Sequence, residues 1–175
     1  VGEDRALPGR SADRGGDPYR TEAAPADVVH EVADHDGAIR SVDASDAGIV
    51  TCSNDGTVHL RTFDGQTIDA YSHPVQADGQ PPYLLQTRFH PVTGEIVSVG
   101  EDGTVCVWRD GTMAQNIQHP VGVWCVLPLP NGDFATGGHD GFIRVWTRDP
   151  QRVASEDQRV AFEVHVREEV EKRNK

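Results

Sequence analysis

Phe134-Ala135-Thr136-Gly137-Gly138-His139-Asp140-Gly141-Phe142-Ile143-Arg144-Val145-Trp146 is the third copy of a pattern that organises the whole chain. The earlier copies are Ile49-Val50-Thr51-Cys52-Ser53-Asn54-Asp55-Gly56-Thr57-Val58-His59-Leu60 and Ile96-Val97-Ser98-Val99-Gly100-Glu101-Asp102-Gly103-Thr104-Val105-Cys106-Val107-Trp108. Each sets an Asp-Gly pair, at 55, 102 and 140, between two short runs rich in apolar and β-branched residues. Glycine supplies the positive φ that a tight hairpin turn demands, so each copy predicts two antiparallel strands. The pairs lie 47 and 38 residues apart, which brackets the usual propeller period of about 40–45 residues.

A further apolar run precedes each hairpin, at 39–44, 84–89 and 123–129, and another follows the first two, near 66–71 and 112–118. Four strands per period make a blade. The extra length of the middle period, 75–82, is rich in Pro, Gly and Gln and reads as a loop between blades. The fold class expected is therefore all-β: three four-stranded blades of a propeller, followed by a C-terminal helix. The blades span about 28–73, 74–118 and 119–149, which together make the segment 28–149.

The residues carrying this pattern resemble the WD-repeat family. Its blades are held by a His on the incoming loop, a Ser or Thr on the second strand, the turn Asp and a Trp on the third strand. The third blade has all four, His119, Thr136, Asp140 and Trp146, with Val123 and Val126 four and seven residues beyond the His. The first keeps His35, Thr51 and Asp55 but has Arg61 at the Trp position. The second keeps Ser98, Asp102 and Trp108 and is read with Gln80 in place of the His. A carboxylate in a tight turn accepts hydrogen bonds from imidazole and backbone and so satisfies polar groups that stacked blades bury.

Outside the blades, 1–27 is rich in Gly, Pro, Ala, Asp and Arg without periodicity and is expected to be a loop or disordered segment. Val1-Gly2-Glu3-Asp4 repeats Val99-Gly100-Glu101-Asp102, a hint of an earlier blade whose last strand would be 28–32. Three blades leave two bare apolar faces, so the chain is expected to be part of a larger ring that closes with about four to eight blades. In 150–175, Ser155 and Gln158 stand in a capping-box relation and Phe162, Val166 and Val170 follow at helical spacing.

Composition bounds function. The net charge is −12, from 16 basic and 28 acidic residues, which repels phosphate backbones and argues against nucleic acid and anionic membrane as partners. No apolar run approaches the roughly 20 residues of a membrane span. The three cysteines, Cys52, Cys106 and Cys125, sit in apolar runs and suit reduced packing residues. The eight histidines are scattered, with no Cys-x-x-Cys or His-x-His, no Gly-rich loop before a helix and no Gly-x-Ser-x-Gly. The expectation is a protein-binding platform: no enzyme, no catalytic residues, no metal and no cofactor.

Val123-Trp124-Cys125-Val126, Asn131-Gly132-Asp133 and the run from Arg144 to Ala154 look like more than a generic blade. They resemble the closing blade of the phospholipase-activating protein family, WD-repeat cofactors of ubiquitin-dependent, proteasome-mediated degradation. That resemblance implies the last three of seven blades, residence in cytoplasm and nucleus, and ubiquitin as partner on the face that carries the hairpin turns. It implies contact with the segregase ATPase valosin-containing protein only through domains absent from this chain. Candidate residues on that face are Asp36, Ala38, Asn54, Tyr83, Glu101, Trp124 and His139. The rival reading is a generic WD-repeat scaffold for a different protein.

Overall fold

The computed structural model describes residues 28–173; the expectations for 1–27 lie outside them. Eleven strands and one helix follow in order among the described residues. They are β1 (Ile39–Ser45), β2 (Gly48–Ser53), β3 (Thr57–Arg61), β4 (Thr67–Ser72), β5 (Leu84–Phe89), β6 (Ile96–Gly100), β7 (Thr104–Arg109), β8 (Thr112–Gln118), β9 (Val123–Pro128), β10 (Phe134–Gly138), β11 (Ile143–Trp146) and α1 (Glu156–Arg173). All pairings are antiparallel between sequence neighbours, giving sheets β1-β2-β3-β4, β5-β6-β7-β8 and β9-β10-β11. The first two blades have four strands. The third has three among the described residues, because Thr147 to Pro150 turns away after Trp146 where a fourth strand would begin.

The period-2 pattern of each strand decides how the sheets stack. One face of the first sheet, with Val50, Cys52, Val58 and Tyr71, packs on Leu84, Phe89, Ile96, Cys106 and Trp108 of the second. The other face of the second sheet, with Val97, Val99, Val105 and Val107, packs on Val123, Val126 and Phe134 of the third. β6 and β7 therefore carry apolar side chains on both faces and are buried almost throughout. Burying one such aliphatic side chain stabilises by roughly 1.5–3 kcal/mol, so the middle blade is the energetic centre of the described chain.

Each Asp-Gly turn adopts the expected geometry. Gly56, Gly103 and Gly141 have φ of 80°, 83° and 80°, and their N–H groups donate to Ser53, Gly100 and Gly138 carbonyls at 3.2, 3.2 and 3.1 Å. The turns also pack blade on blade. A Cβ on Gly56 would lie 2.6 Å from the Pro81 side chain, and one on Gly122 only 2.5 Å from the Glu101 carbonyl.

The segment 28–34 is not a strand; its Val29, His30, Val32 and Asp34 line a groove together with Ile49, Thr51 and Arg61 of the first sheet. At the opposite end of the chain, the stretch after β11 is strapped to the blades by charge. Arg148 donates to the buried Glu95 carboxylate at 2.8 Å, Arg109 holds the same carboxylate, and Arg152 pairs with buried Asp133. Burial raises the pKa of Glu95, but bonds from Arg148, Thr93 and Arg109 outweigh this and hold it below the usual carboxylate range. α1 then starts with a reciprocal capping box: Ser155 N–H donates to Gln158 Oε1 at 2.9 Å, and Gln158 N–H to Ser155 Oγ at 3.3 Å. Its Phe162 meets Phe142 edge-on at 6.1 Å. No described helix is long and apolar enough to cross a membrane.

Candidate functional site

The closing side chains differ from blade to blade. In the first, His35 Nδ1 donates to Asp55 Oδ2 at 3.1 Å while Nε2 accepts from the Thr51 hydroxyl at 2.9 Å. Asp55 further accepts the backbone N–H groups of Asp36 and Thr57 at 2.8 and 2.9 Å. Burial pulls its pKa up, but bonds from Thr57, Asp36 and His35 win and lower it to about 2. Arg61, standing where Trp belongs, pairs with Asp34 and donates to His59 Nδ1 at 2.8 Å, and His59 stacks on His35 at 4.0 Å. Asp34, His35 and His59 converge closely enough to suggest a cation, but the Arg61 guanidinium already bridges Asp34 and His59.

The second blade corrects the reading of Gln80. Its closing histidine is His73, whose ring is buried and whose Nε2 lies 2.6 Å from Ser98 Oγ. Trp108 Nε1 donates to the same oxygen at 2.8 Å. His73 N–H binds the Gly56 carbonyl at 3.0 Å, as His119 N–H binds that of Gly103 at 2.8 Å, so the two histidines are equivalent. Gln80 lies in the inserted loop, its carbonyl accepting from Gln76 N–H. The insertion 75–82 follows the histidine instead of preceding it, which displaces the sequence spacing that would have revealed it. Burial lowers the His73 pKa to about 4. Asp102 accepts from Thr104, at 2.9 Å from its N–H, rather than from an imidazole.

The third blade has all four expected residues but joins them through a fifth. Trp146 Nε1 donates to Thr136 Oγ1 at 2.8 Å. His119 Nδ1 donates to the Val121 carbonyl at 2.9 Å and does not reach Asp140. Between them stands Arg144, which gives Asp140 Oδ2 a 2.7 Å ion pair and places Nη1 3.3 Å from Asp140 Oδ1 and 3.5 Å from His119 Nε2. Burial, then the Arg144 charge, lowers the His119 pKa. Arg144 was legible only as a charge on the same strand face as Trp146, two residues away.

The candidate partner-binding residues fall on one end of the three blades. Asn54, Glu101 and His139 each precede a turn Asp, and each donates its N–H to the incoming loop, to Ala38, Tyr83 and Gly122 carbonyls at 3.0, 3.0 and 2.9 Å. Asp36 is exposed beside Asp55. Tyr83 is 50% and Trp124 55% exposed, unusual for large aromatic side chains. Trp124 lies against His139, ring centroids 6.1 Å apart, with its Nε1 donating to Nδ1 at 3.4 Å. The Glu101 turn packs on Gly122 and the Gly56 turn on Pro81, so the turn ends that carry these residues adjoin from blade to blade. Asn54 adds a buried Oδ1 with no partner among the described residues.

Comparison with known proteins accords with this architecture. The family described as WD domain, G-beta repeat matches residues 26–61, 83–109 and 111–147. The ubiquitin homeostasis protein lub1 of Schizosaccharomyces pombe is 33% identical over 140 residues, covering 79% of this chain and 19% of that protein. Phospholipase A-2-activating protein of Xenopus laevis is 48% identical over 50 residues, 28% of this chain and 6% of its own length. The ribosome biogenesis protein WDR12 homolog of Drosophila erecta is 27% identical over 144 residues, 76% of this chain and 33% of that one. Among solved structures, the WD40 beta propeller domain of Doa1 superposes with a TM-score of 0.61 at 30% identity, over 69% of this chain and 40% of that one. This chain thus spans only a minor part of the curated relatives it matches. With three stacked antiparallel sheets, three Asp-Gly turns and the matched repeats together, the chain belongs to the WD domain, G-beta repeat family.

Proposed function

We propose that this chain is a ubiquitin-binding segment of a WD-repeat propeller that serves ubiquitin-dependent protein degradation, and that it binds through its turn-end residues. The observation carrying this reading is the set of turn-end residues from Asp36 to His139, which includes exposed Tyr83, whose N–H reaches the Glu101 carboxylate at 3.3 Å, and exposed Trp124 against His139. Ubiquitin offers an apolar patch ringed by basic residues, which an acidic, partly aromatic face complements. The likeness to a ubiquitin homeostasis protein and to the Doa1 propeller supports the same assignment. The role is binding rather than catalysis, in cytoplasm and nucleus, and any contact with an AAA-type segregase falls to other domains.

The test is an amide NMR titration of labelled ubiquitin with the chain and with Trp124→Ala, Tyr83→Ala and His139→Ala. Shifts confined to the apolar patch of ubiquitin and weakened by these variants are expected; an unchanged spectrum at high concentration refutes the reading. Similarity to the ribosome biogenesis homolog favours the second reading, a scaffold for another protein, which would leave ubiquitin unshifted.

A further inference from the structure

The loops that lead into the three blades differ in length. Ile39 follows His35, and Val123 follows His119, by four residues, whereas Leu84 follows His73 by eleven, so the middle loop carries seven extra residues. Strand pairing shows that the ends correspond: Leu84 faces Gly100 as Ile39 faces Ser53 and Val123 faces Gly138. The feet of the loop correspond as well. The Gly56 turn lies against Pro81 and the Pro82 carbonyl, as the Gly103 turn lies against the carbonyls of His119 and Val121. The surplus is therefore 74–80, inserted between His73 and Pro81, both of which stay on the Gly56 turn.

The inserted residues are ordered by their own hydrogen bonds. Gln76 N–H donates to the Gln80 carbonyl and Gly79 N–H to the Gln76 carbonyl, both at 2.9 Å, and Gln80 N–H donates to Asp78 Oδ1 at 3.0 Å. Gly79 takes the φ of 81° that this tight closure requires. A Cβ at Gly79 would meet nothing within 4 Å, so the tip stands clear of both blades. Because both feet rest on an Asp-Gly turn, the loop rises from the end of the blades that carries Asn54 and Tyr83. Its chemistry is apolar and acidic: Val75 is 67% exposed, Tyr83 just beyond it 50%, Asp78 at the tip is exposed, and 74–83 holds no Lys, Arg or His.

We propose that the loop 74–80 is a second contact element on the partner face, setting Val75 on the apolar patch of the partner and Asp78 toward its basic rim; this rests on the reading of the partner as ubiquitin. A loop closed by its own hydrogen bonds loses little conformational freedom on contact, so its exposed valine adds to affinity at low entropic cost. A carboxylate at the rim of an interface acts chiefly on association and on salt dependence. The other two incoming loops lack the seven residues, so this contact belongs to the middle blade among the described residues.

The experiment titrates labelled ubiquitin with the 175-residue chain and with three variants of it, followed by amide NMR. Deletion of 74–80 joins His73 to Pro81 and reproduces the His119-Pro120 spacing of the third blade. Val75→Ser and Asp78→Lys change exposed side chains only. The deletion is expected to weaken binding about tenfold, and Val75→Ser and Asp78→Lys about three- to fivefold each. The loss from Asp78→Lys is expected to be larger at low than at high ionic strength. If the deletion variant does not fold, the two substitutions decide alone. Binding that Trp124→Ala weakens but the loop variants leave unchanged overturns the role of the loop while the ubiquitin reading stands. A ubiquitin spectrum unmoved by the wild-type chain overturns both.

Discussion

His73→Ala tests the assignment of the second blade's closing histidine. The substitution removes one of the two side-chain partners of the Ser98 hydroxyl, leaving Trp108, and empties the space of a residue that is 3% exposed. A lost buried hydrogen bond plus a partly collapsed cavity costs about 2–4 kcal/mol near neutral pH. At about 2–4 °C per kcal/mol, that is a fall of roughly 5–15 °C in Tm. Gln80→Ala, in the exposed loop, is expected within about 0.5 kcal/mol of wild type. The pH dependence is more specific. Burial lowers the His73 pKa to about 4, whereas an unfolded histidine titrates near 6.5. Between those values the unfolded state binds the proton and the folded state does not, so stability is full above about pH 6.5 and falls as the pH drops toward 4, by roughly 3 kcal/mol from this group. Urea unfolding of both proteins at pH 7.5, 6.5, 5.5 and 4.5 should show the difference between them shrinking on acidification. Parallel profiles, or an equal loss from Gln80→Ala, would refute the assignment.

Other outcomes follow from the same geometry. Arg144→Ala strands the Asp140 carboxylate and should cost about 1–3 kcal/mol by urea unfolding; Arg144→Lys, with one ammonium for two contacts, should recover only part. Native thiol titration should find Cys125 reactive, since it is exposed, and Cys52 and Cys106 inert, since burial pushes both thiols up to about 12; all three should react in denaturant.

The turn chemistry was fully legible. Asp-Gly at 55, 102 and 140 requires a turn whatever surrounds it, because the φ of the glycine and the acceptor of the aspartate act within a few residues. The strand pairs flanking them were legible for the same reason, as was the capping box at Ser155 and Gln158. Asn54, Glu101 and His139 were also named from sequence, since adjacency to the turn Asp places them at its end of the blade.

What sequence alone determined is thus local: turns, strand alternation and the start of the helix. Tertiary structure decided the rest, because it depends on which side chains arrive at one point from separate strands. It chose His73 over Gln80, since a backbone contact to Gly56 across the blades, not spacing, positions the ring. It set Arg144 between His119 and Asp140, and Arg61 against Asp34 and His59, because a guanidinium spans distances that no residue count reveals. It set the turn ends of neighbouring blades against one another, and it left the third sheet with three strands among the described residues.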